Sequence, residues 1–205
     1  MDKITLYYFT VGDSLTRARG ENVKLLLEDA GLEHDYVRVK HEEWPALKQK
    51  LQAEGIHSAT LPFIETNGQK FVKTPAIMRY ISTKLGGKYH GSTPEENQIL
   101  DVVAELSDVW FEHLKGSFFG SDEMKAKYAN ETLSAQISLF EKFYSDREGP
   151  YLLGDKLTFA DILVYHMIDD GGARSKLDGA APNLLKFAEA FEERPNLKKY
   201  FATLK

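Results

Sequence analysis

Lys73, Thr74 and Pro75 put the ingredients of an anion site into three consecutive residues. Threonine followed by proline marks a helix start, with the hydroxyl as cap and the proline at the first helical position. The N–H groups of such a start, at the positive end of the macrodipole, attract a carboxylate. Lys73 adds a full charge beside them. Upstream, Leu61 precedes Pro62. Proline cannot donate to a β-ladder, so the Leu61 backbone is left to pair with something else. An extended peptide bearing a carboxylate would suit both features; the plain alternative is an ordinary hairpin followed by a capped helix. The chain has no cysteine, hence no disulfide framework, no thiolate metal site and no cysteine nucleophile, and thiol chemistry would have to come from a ligand.

Such residues need a scaffold. Phe63-Ile64 and Phe71-Val72 are β-prone, and Asn67-Gly68 between them signals a type I′ turn, so residues 62–73 read as a hairpin. The helix that follows runs from Ala76 to Leu85 and stops at Gly86-Gly87. Near the start, Ile4 to Phe9 is apolar on both faces, as a strand inside a sheet would be. Val23, Leu26, Leu27 and Ala30 recur at helical spacing and Gly31 closes the run, which predicts a helix over Arg19 to Ala30; His34 to Val39 can form a second strand. Strand, helix, strand implies a parallel pair with a right-handed crossover, to which the hairpin adds two antiparallel strands and a last helix. Glu43-Trp44-Pro45-Ala46-Leu47-Lys48 reads as a short irregular helix with an exposed aromatic.

This makes an α/β domain over residues 1–85, a linker rich in Gly, Ser, Thr, Lys and Pro at 86–94, and an all-helical domain over 95–205. In the latter, Thr93-Pro94-Glu95-Glu96 caps a helix carrying Ile99, Val103, Leu106 and Trp110. Leu133, Ile137, Phe140 and Tyr144 mark another. Thr158-x-x-Asp161 is a capping box flanked by Leu157 and Ile162, and Leu184, Phe187 and Phe191, then Leu197 and Phe201, predict two closing helices.

With 205 residues, 42% of them hydrophobic, the chain can bury a real core. A net charge of −5 and basic residues scattered rather than striped argue against nucleic acid or an anionic membrane as partner. The start, M-D-K-I-T-L-Y-Y-F, lacks the apolar core of a secretory signal, and no run approaches a membrane span, so a cytoplasmic location is expected. Six histidines show no metal spacing, and no metal site is expected.

The chain resembles the cytosolic glutathione transferases over nearly its whole length. The matches are Leu6-Tyr7-Tyr8-Phe9, Arg19-Gly20-Glu21, Glu43-Trp44-Pro45 with Lys48, Leu61-Pro62, Thr74-Pro75-Ala76-Ile77-x-Arg79-Tyr80-Ile81 and Leu157-Thr158-Phe159-Ala160-Asp161. The pattern is similar to the tyrosine-type classes, nearest the sigma class and related protist and invertebrate enzymes. The resemblance implies a thioredoxin-like N-terminal domain that holds glutathione as co-substrate, with no permanent cofactor and with Pro62 cis. It implies Thr74 and the neighbouring N–H groups on the γ-glutamyl carboxylate, Lys73 beside them, and Leu61 pairing with the cysteinyl unit. Trp44, Lys48 and Arg19 would lie along the tripeptide, with Arg17 the alternative to Arg19. Tyr8 would be catalytic. A homodimer would bring Asp108 of the partner chain, or Glu105, to the γ-glutamyl amine. Lys73 departs from the family, which usually has glutamine there, and the loop after Phe9 is longer than usual.

The implied chemistry stands on physical grounds. A thiol of pKa about 8.5 is a few per cent thiolate at neutral pH, and lowering it by about two units needs about 2.7 kcal/mol. One hydrogen bond to a charged acceptor supplies about 1.5 to 3 kcal/mol, and a tyrosine hydroxyl, protonated at that pH, is a suitable donor. Tyr7 and Tyr8 must point to opposite faces, so at most one meets the ligand; alternation does not choose between them, and register with the family chooses Tyr8. The expected activity is conjugation of glutathione to hydrophobic electrophiles. Trp110, Phe111, Phe118 and Phe119 are either the lining of the pocket for the electrophile or ordinary core. The rivals are a non-catalytic binder or structural homodimer on the same fold, and a glutathione-dependent isomerase of lipid peroxides.

Overall fold

The computed structural model describes residues 2–11 and 18–204; Arg17 and the loop from Gly12 to Thr16 lie outside them. The chain divides into two compact units, Met1–Lys88 together with Arg194–Lys205, and Tyr89–Glu193.

In the first unit, strand β1 (Ile4–Phe9) is followed by helix α1 (Arg19–Ala30), β2 (His34–Val39), α2 (Trp44–Ala53), the hairpin strands β3 (Phe63–Thr66) and β4 (Gln69–Val72), and α3 (Thr74–Lys84). The sheet order is β2-β1-β3-β4, with β1 parallel to β2 and antiparallel to β3. Both hairpin turn residues have positive φ, Asn67 at 50° and Gly68 at 69°, as a type I′ turn demands. Gly31 closes α1 in the left-handed conformation. Strand β1 alternates strictly. Ile4, Leu6 and Tyr8 are buried on the face covered by α1 and α3. Tyr7 lies on the other face, stacked on Phe63 with ring centroids 4.3 Å apart, where α2 adds Leu51, Leu47 and Trp44.

Three expectations change here. Residues 44–53 form a regular helix, because Pro45 sits in its first turn where a missing N–H costs nothing, and Trp44 is half-buried against the Phe63 cluster rather than exposed. Thr74 is not a cap. Lys73 takes the N-cap position at φ 71°, ψ 114°, and Thr74 is the first helical residue. Finally, α9 (Pro195–Ala202) joins the first unit rather than the helical one expected over 95–205. Arg194 holds Asp29 of α1 with a two-pronged ion pair, Nε to Oδ1 at 2.5 Å and Nη2 to Oδ2 at 2.9 Å, and Asn196 donates to the Asp29 carbonyl at 3.1 Å.

The second unit contains α4 (Pro94–Phe119), α5 (Asp122–Lys127) running through a π-helical turn into α6 (Leu133–Ser145), then α7 (Phe159–Asp170) and α8 (Pro182–Glu192). Thr93 caps α4 as expected, and its side chain accepts from the Glu96 N–H. The buried face of α4 runs through Leu100, Val103, Ser107, Trp110 and Leu114. Every residue of α7 from Phe159 to Ile168 is buried, which makes it the central helix of this unit. Its capping box forms in full and goes further than the local pattern. Asp161 accepts from the Thr158 N–H (2.7 Å) and hydroxyl (2.6 Å), from the Leu152 N–H (2.8 Å) and from Tyr144 Oη (2.9 Å). Burial pushes the Asp161 carboxyl upward, and these bonds pull it back.

Candidate functional site

Sheet topology gathers the candidate residues of the first unit at one edge. Because β1 and β3 are antiparallel, with Tyr7 opposite Phe63, the ladder ends where β1 reaches Tyr8 and β3 begins. The peptide Leu61–Pro62 just before β3 is cis. Strand β4 pairs Val72 with Phe63, so it too finishes at this edge and delivers Lys73 and Thr74 there. Tyr8, Leu61, Pro62, Lys73 and Thr74 thus meet because three strands share one end. Adjacent strands lie about 4.8 Å apart, which puts β1 and β4, on either side of β3, about 10 Å from each other.

At the β1 side, Tyr8 is 7% exposed and its hydroxyl oxygen accepts from the Arg19 backbone N–H at 3.3 Å. Arg19 begins α1, and the next residue explains how the helix comes so close. A Cβ on Gly20 would lie 2.5 Å from Tyr8 Cγ and 2.3 Å from Tyr36 Oη, so no larger residue fits. Alternation in β2 places Tyr36 and Arg38 on this same face, with the Arg38 guanidinium 4.6 Å from the Tyr36 ring centre. Burial pushes the Tyr36 hydroxyl well above the usual phenol range. Tyr36 and Gly20 were not singled out as site residues from sequence. The signal for Tyr36 was its even spacing from Arg38 in a strand paired with β1.

At the β4 side, Thr74 is 3% exposed, and its hydroxyl, wholly shielded from solvent, has no hydrogen-bond partner among the described residues. An orphan of this kind costs about 1–3 kcal/mol. Lys73 before it holds a positive φ that a side chain disfavours, a strain of about 1–3 kcal/mol. Strain and an unsatisfied hydroxyl, side by side at the N-terminus of an 11-residue helix, mark a place built for something other than stability.

Between these two lies Leu61, half-buried on the cluster of Leu51, Ala59 and Phe63 together with Trp44. The Phe9 ring stacks on His41 at 4.6 Å and meets Trp44 edge-on at 5.8 Å, an aromatic rim that the sequence pattern did not disclose. Lys48 is exposed one turn beyond Trp44 on α2. Asp108 and Glu105 lie on α4 of the second unit, half-buried and exposed respectively, one turn apart.

Of the aromatic candidates for a substrate pocket, Trp110 is core. It is fully buried, donates its indole N–H to Tyr128 Oη at 3.0 Å and packs on Phe140. Phe118 and Phe119 are 56% and 87% exposed at the end of α4, and Phe111 is half-buried beside His166. Asp170 closes α7 with its carboxylate 3.5 Å from His166 Nε2. No group of three potential metal ligands occurs among the described residues, and no described helix is long and apolar enough to cross a membrane.

A thioredoxin-like unit with a cis-proline at its functional edge, accompanied by an all-helical unit, defines a class of two-domain proteins. Comparison with known proteins gives the family. Residues 108–203 match the family described as glutathione S-transferase, C-terminal domain. The chain is 31% identical over 205 residues to the probable glutathione S-transferase 5 of Caenorhabditis elegans, covering 91% of this chain and 92% of that protein. The pi-class glutathione S-transferase of Onchocerca volvulus shares the fold with a TM-score of 0.84 at 23% identity, over 98% of this chain and 92% of that one. A monomeric glutathione S-transferase of the hookworm Necator americanus shares it with a TM-score of 0.80 at 24% identity, over 99% and 98% of the two chains. The chain belongs to the glutathione S-transferase family, and both the fold class and the family resemblance read from its sequence hold.

Proposed function

We propose that this family member joins the thiol of glutathione to hydrophobic electrophiles, with the Tyr8 hydroxyl stabilising the thiolate. The observation that carries the reading is the buried Thr74 hydroxyl at the N-terminus of α3, without a partner among the described residues and on the same sheet edge as Tyr8 and cis-Pro62. A tripeptide in extended form spans about 10 Å, which is the separation of β4 from β1. Its γ-glutamyl carboxylate would take the Thr74 hydroxyl and the α3 N–H groups, with Lys73 adding charge. The Leu61 backbone would pair with the cysteinyl unit, Trp44 and Lys48 would flank the glycine end, and the thiol would reach Tyr8. Accepting the Arg19 N–H polarises the Tyr8 O–H bond and makes it a better donor toward sulfur. The Arg19 side chain would add a positive field.

The wider reading is a cytoplasmic homodimer in which Asp108 of one chain reaches the γ-glutamyl amine bound to the other. Sedimentation at micromolar concentration tests it, and a monomer would remove Asp108 from the site. For the activity itself, turnover of a simple aryl halide with glutathione is measured alongside retention on immobilised glutathione. Turnover and retention together are expected. Retention without turnover would show a binder on the transferase fold, and failure of both would overturn the proposal.

A further inference from the structure

The first unit holds a polar chain that runs on from Tyr8 to groups the proposed chemistry does not use. It starts at Tyr8, whose oxygen is tied to the first N–H of α1, and passes through Gly20, whose backbone lies against the Tyr8 ring and the Tyr36 hydroxyl. The next residue, Glu21, is 3% exposed, and its Oε1 accepts from Tyr200 Oη of α9 at 2.8 Å. A buried carboxylate is expensive unless hydrogen-bonded, so the Tyr200 hydroxyl helps to fix where the first turn of α1 can sit. That donor is 179 residues away in sequence. Tyr200 is also held from above by Lys24, whose Nζ lies 5.0 Å from its ring centre.

We infer that Tyr200 is a positioning residue for Tyr8: its hydrogen bond to Glu21 seats the first turn of α1, and so sets the Arg19 N–H and the Gly20 backbone against the tyrosine that activates the thiol. The inference rests on the proposed role of Tyr8. Burial, and then the Glu21 carboxylate, push the Tyr200 hydroxyl far above neutrality, so it remains a donor throughout the working range of pH. Other ionisable groups that face this chain include Arg38 and Tyr36 from β2, Arg19, Lys24 and Glu28 from α1, and His34 at the start of β2, whose Nε2 lies 2.8 Å from Lys24 Nζ.

The test follows the ultraviolet titration of glutathione's thiol bound to the full-length protein, and kcat against pH. Tyr200→Phe keeps the ring and removes the donor. The bound thiol pKa should rise by about half to one unit, which from about 6.5 is about a one-and-a-half- to threefold loss of thiolate at pH 7, while KM for glutathione changes little and alkaline pH restores kcat. Because Phe removes one hydrogen bond from the buried Glu21 carboxylate, the double variant Tyr200→Phe, Glu21→Met replaces the pair with apolar groups; it should show the same rise. Arg194→Gln serves as the control. It breaks the other α1–α9 clasp, at Asp29, about 12 Å along the helix, and should lower Tm without moving the thiol pKa. An unchanged thiol pKa in both the Tyr200 variants, with a normal rise in Tyr8→Phe, overturns the inference and leaves the proposed function standing. An equal shift in Arg194→Gln also overturns it, because the effect would then be general loosening. No rise in Tyr8→Phe overturns both.

Discussion

Thr74→Val should make the free protein more stable and a worse ligand binder at once. Valine matches threonine in shape, so the change exchanges a hydroxyl that is 3% exposed at the residue level and has no partner among the described residues for a methyl group. Relieving an unsatisfied buried hydroxyl is worth about 1–3 kcal/mol, which for a chain of this size raises Tm by about 2–10 °C. Both residues have similar helix propensity, so α3 itself gains or loses little. The same hydroxyl, when it donates to the γ-glutamyl carboxylate, contributes about 1.5–3 kcal/mol. Its loss should therefore weaken glutathione binding by about ten- to a hundredfold. Calorimetric unfolding of the free protein and titration with glutathione read the two effects separately. A fall in Tm would show that the hydroxyl has a structural partner, and unchanged affinity would remove Thr74 from the ligand site.

Tyr8→Phe should leave glutathione bound but raise its thiol pKa by about one to two units and slow turnover at neutral pH about ten- to a hundredfold, with partial recovery at alkaline pH; Tyr7→Phe, stacked on Phe63 across the sheet, should do neither, and an exchange of the two behaviours would refute the assignment. Asp161→Ala should cost about 3 kcal/mol or more, since it strips partners from buried Thr158, Leu152 and Tyr144 groups as well as the cap; an unchanged denaturation midpoint would contradict this. His34 should make stability fall on acidification. Burial, and then the Lys24 ammonium whose Nζ lies 2.8 Å from Nε2, oppose its protonation, outweighing the Leu32 carbonyl that favours it, so its pKa is lowered on folding. The unfolded chain then binds more protons between that lowered value and about 6.5, stability rises with pH across this window, and it is lost as pH drops below it. His34→Asn should flatten the slope between pH 5 and 7 in thermal melts, and an unaltered slope would refute the assignment.

What the sequence disclosed was governed by local chemistry. Asn67-Gly68 dictates its turn because both residues accept positive φ, Gly31 ends α1 for the same reason, and Thr158 with Asp161 forms a box three residues long. Thr74 stood out through its neighbours in the chain, whereas Tyr8 was separated from Tyr7 only by register with the family. The cap at Thr74 was misread because the same Thr-Pro pattern serves a helix with Lys73 strained into the N-cap position, and only the hairpin's geometry decides between them. The burial of Glu21, the half-burial of Trp44 and the clasp from Arg194 to Asp29 depend on partners that no local pattern names.

The return of α9 to the first unit also bears on how the chain comes to be folded. Asp29 and Glu21 are made early, yet their partners Arg194 and Tyr200 are 165 and 179 residues further on. During synthesis at about 5–20 residues per second, the strands and α1 to α3 wait on the order of ten seconds or more with two carboxylates at their surface that the finished protein buries. The second unit, continuous from Tyr89 to Glu193, has its whole sequence before the first does. The order of completion therefore runs opposite to the order of the chain. Nascent chains arrested before Arg194 should be open to protease around α1 while α7 is already protected, and early protection of α1 would show that the clasp is an addition to a unit already closed.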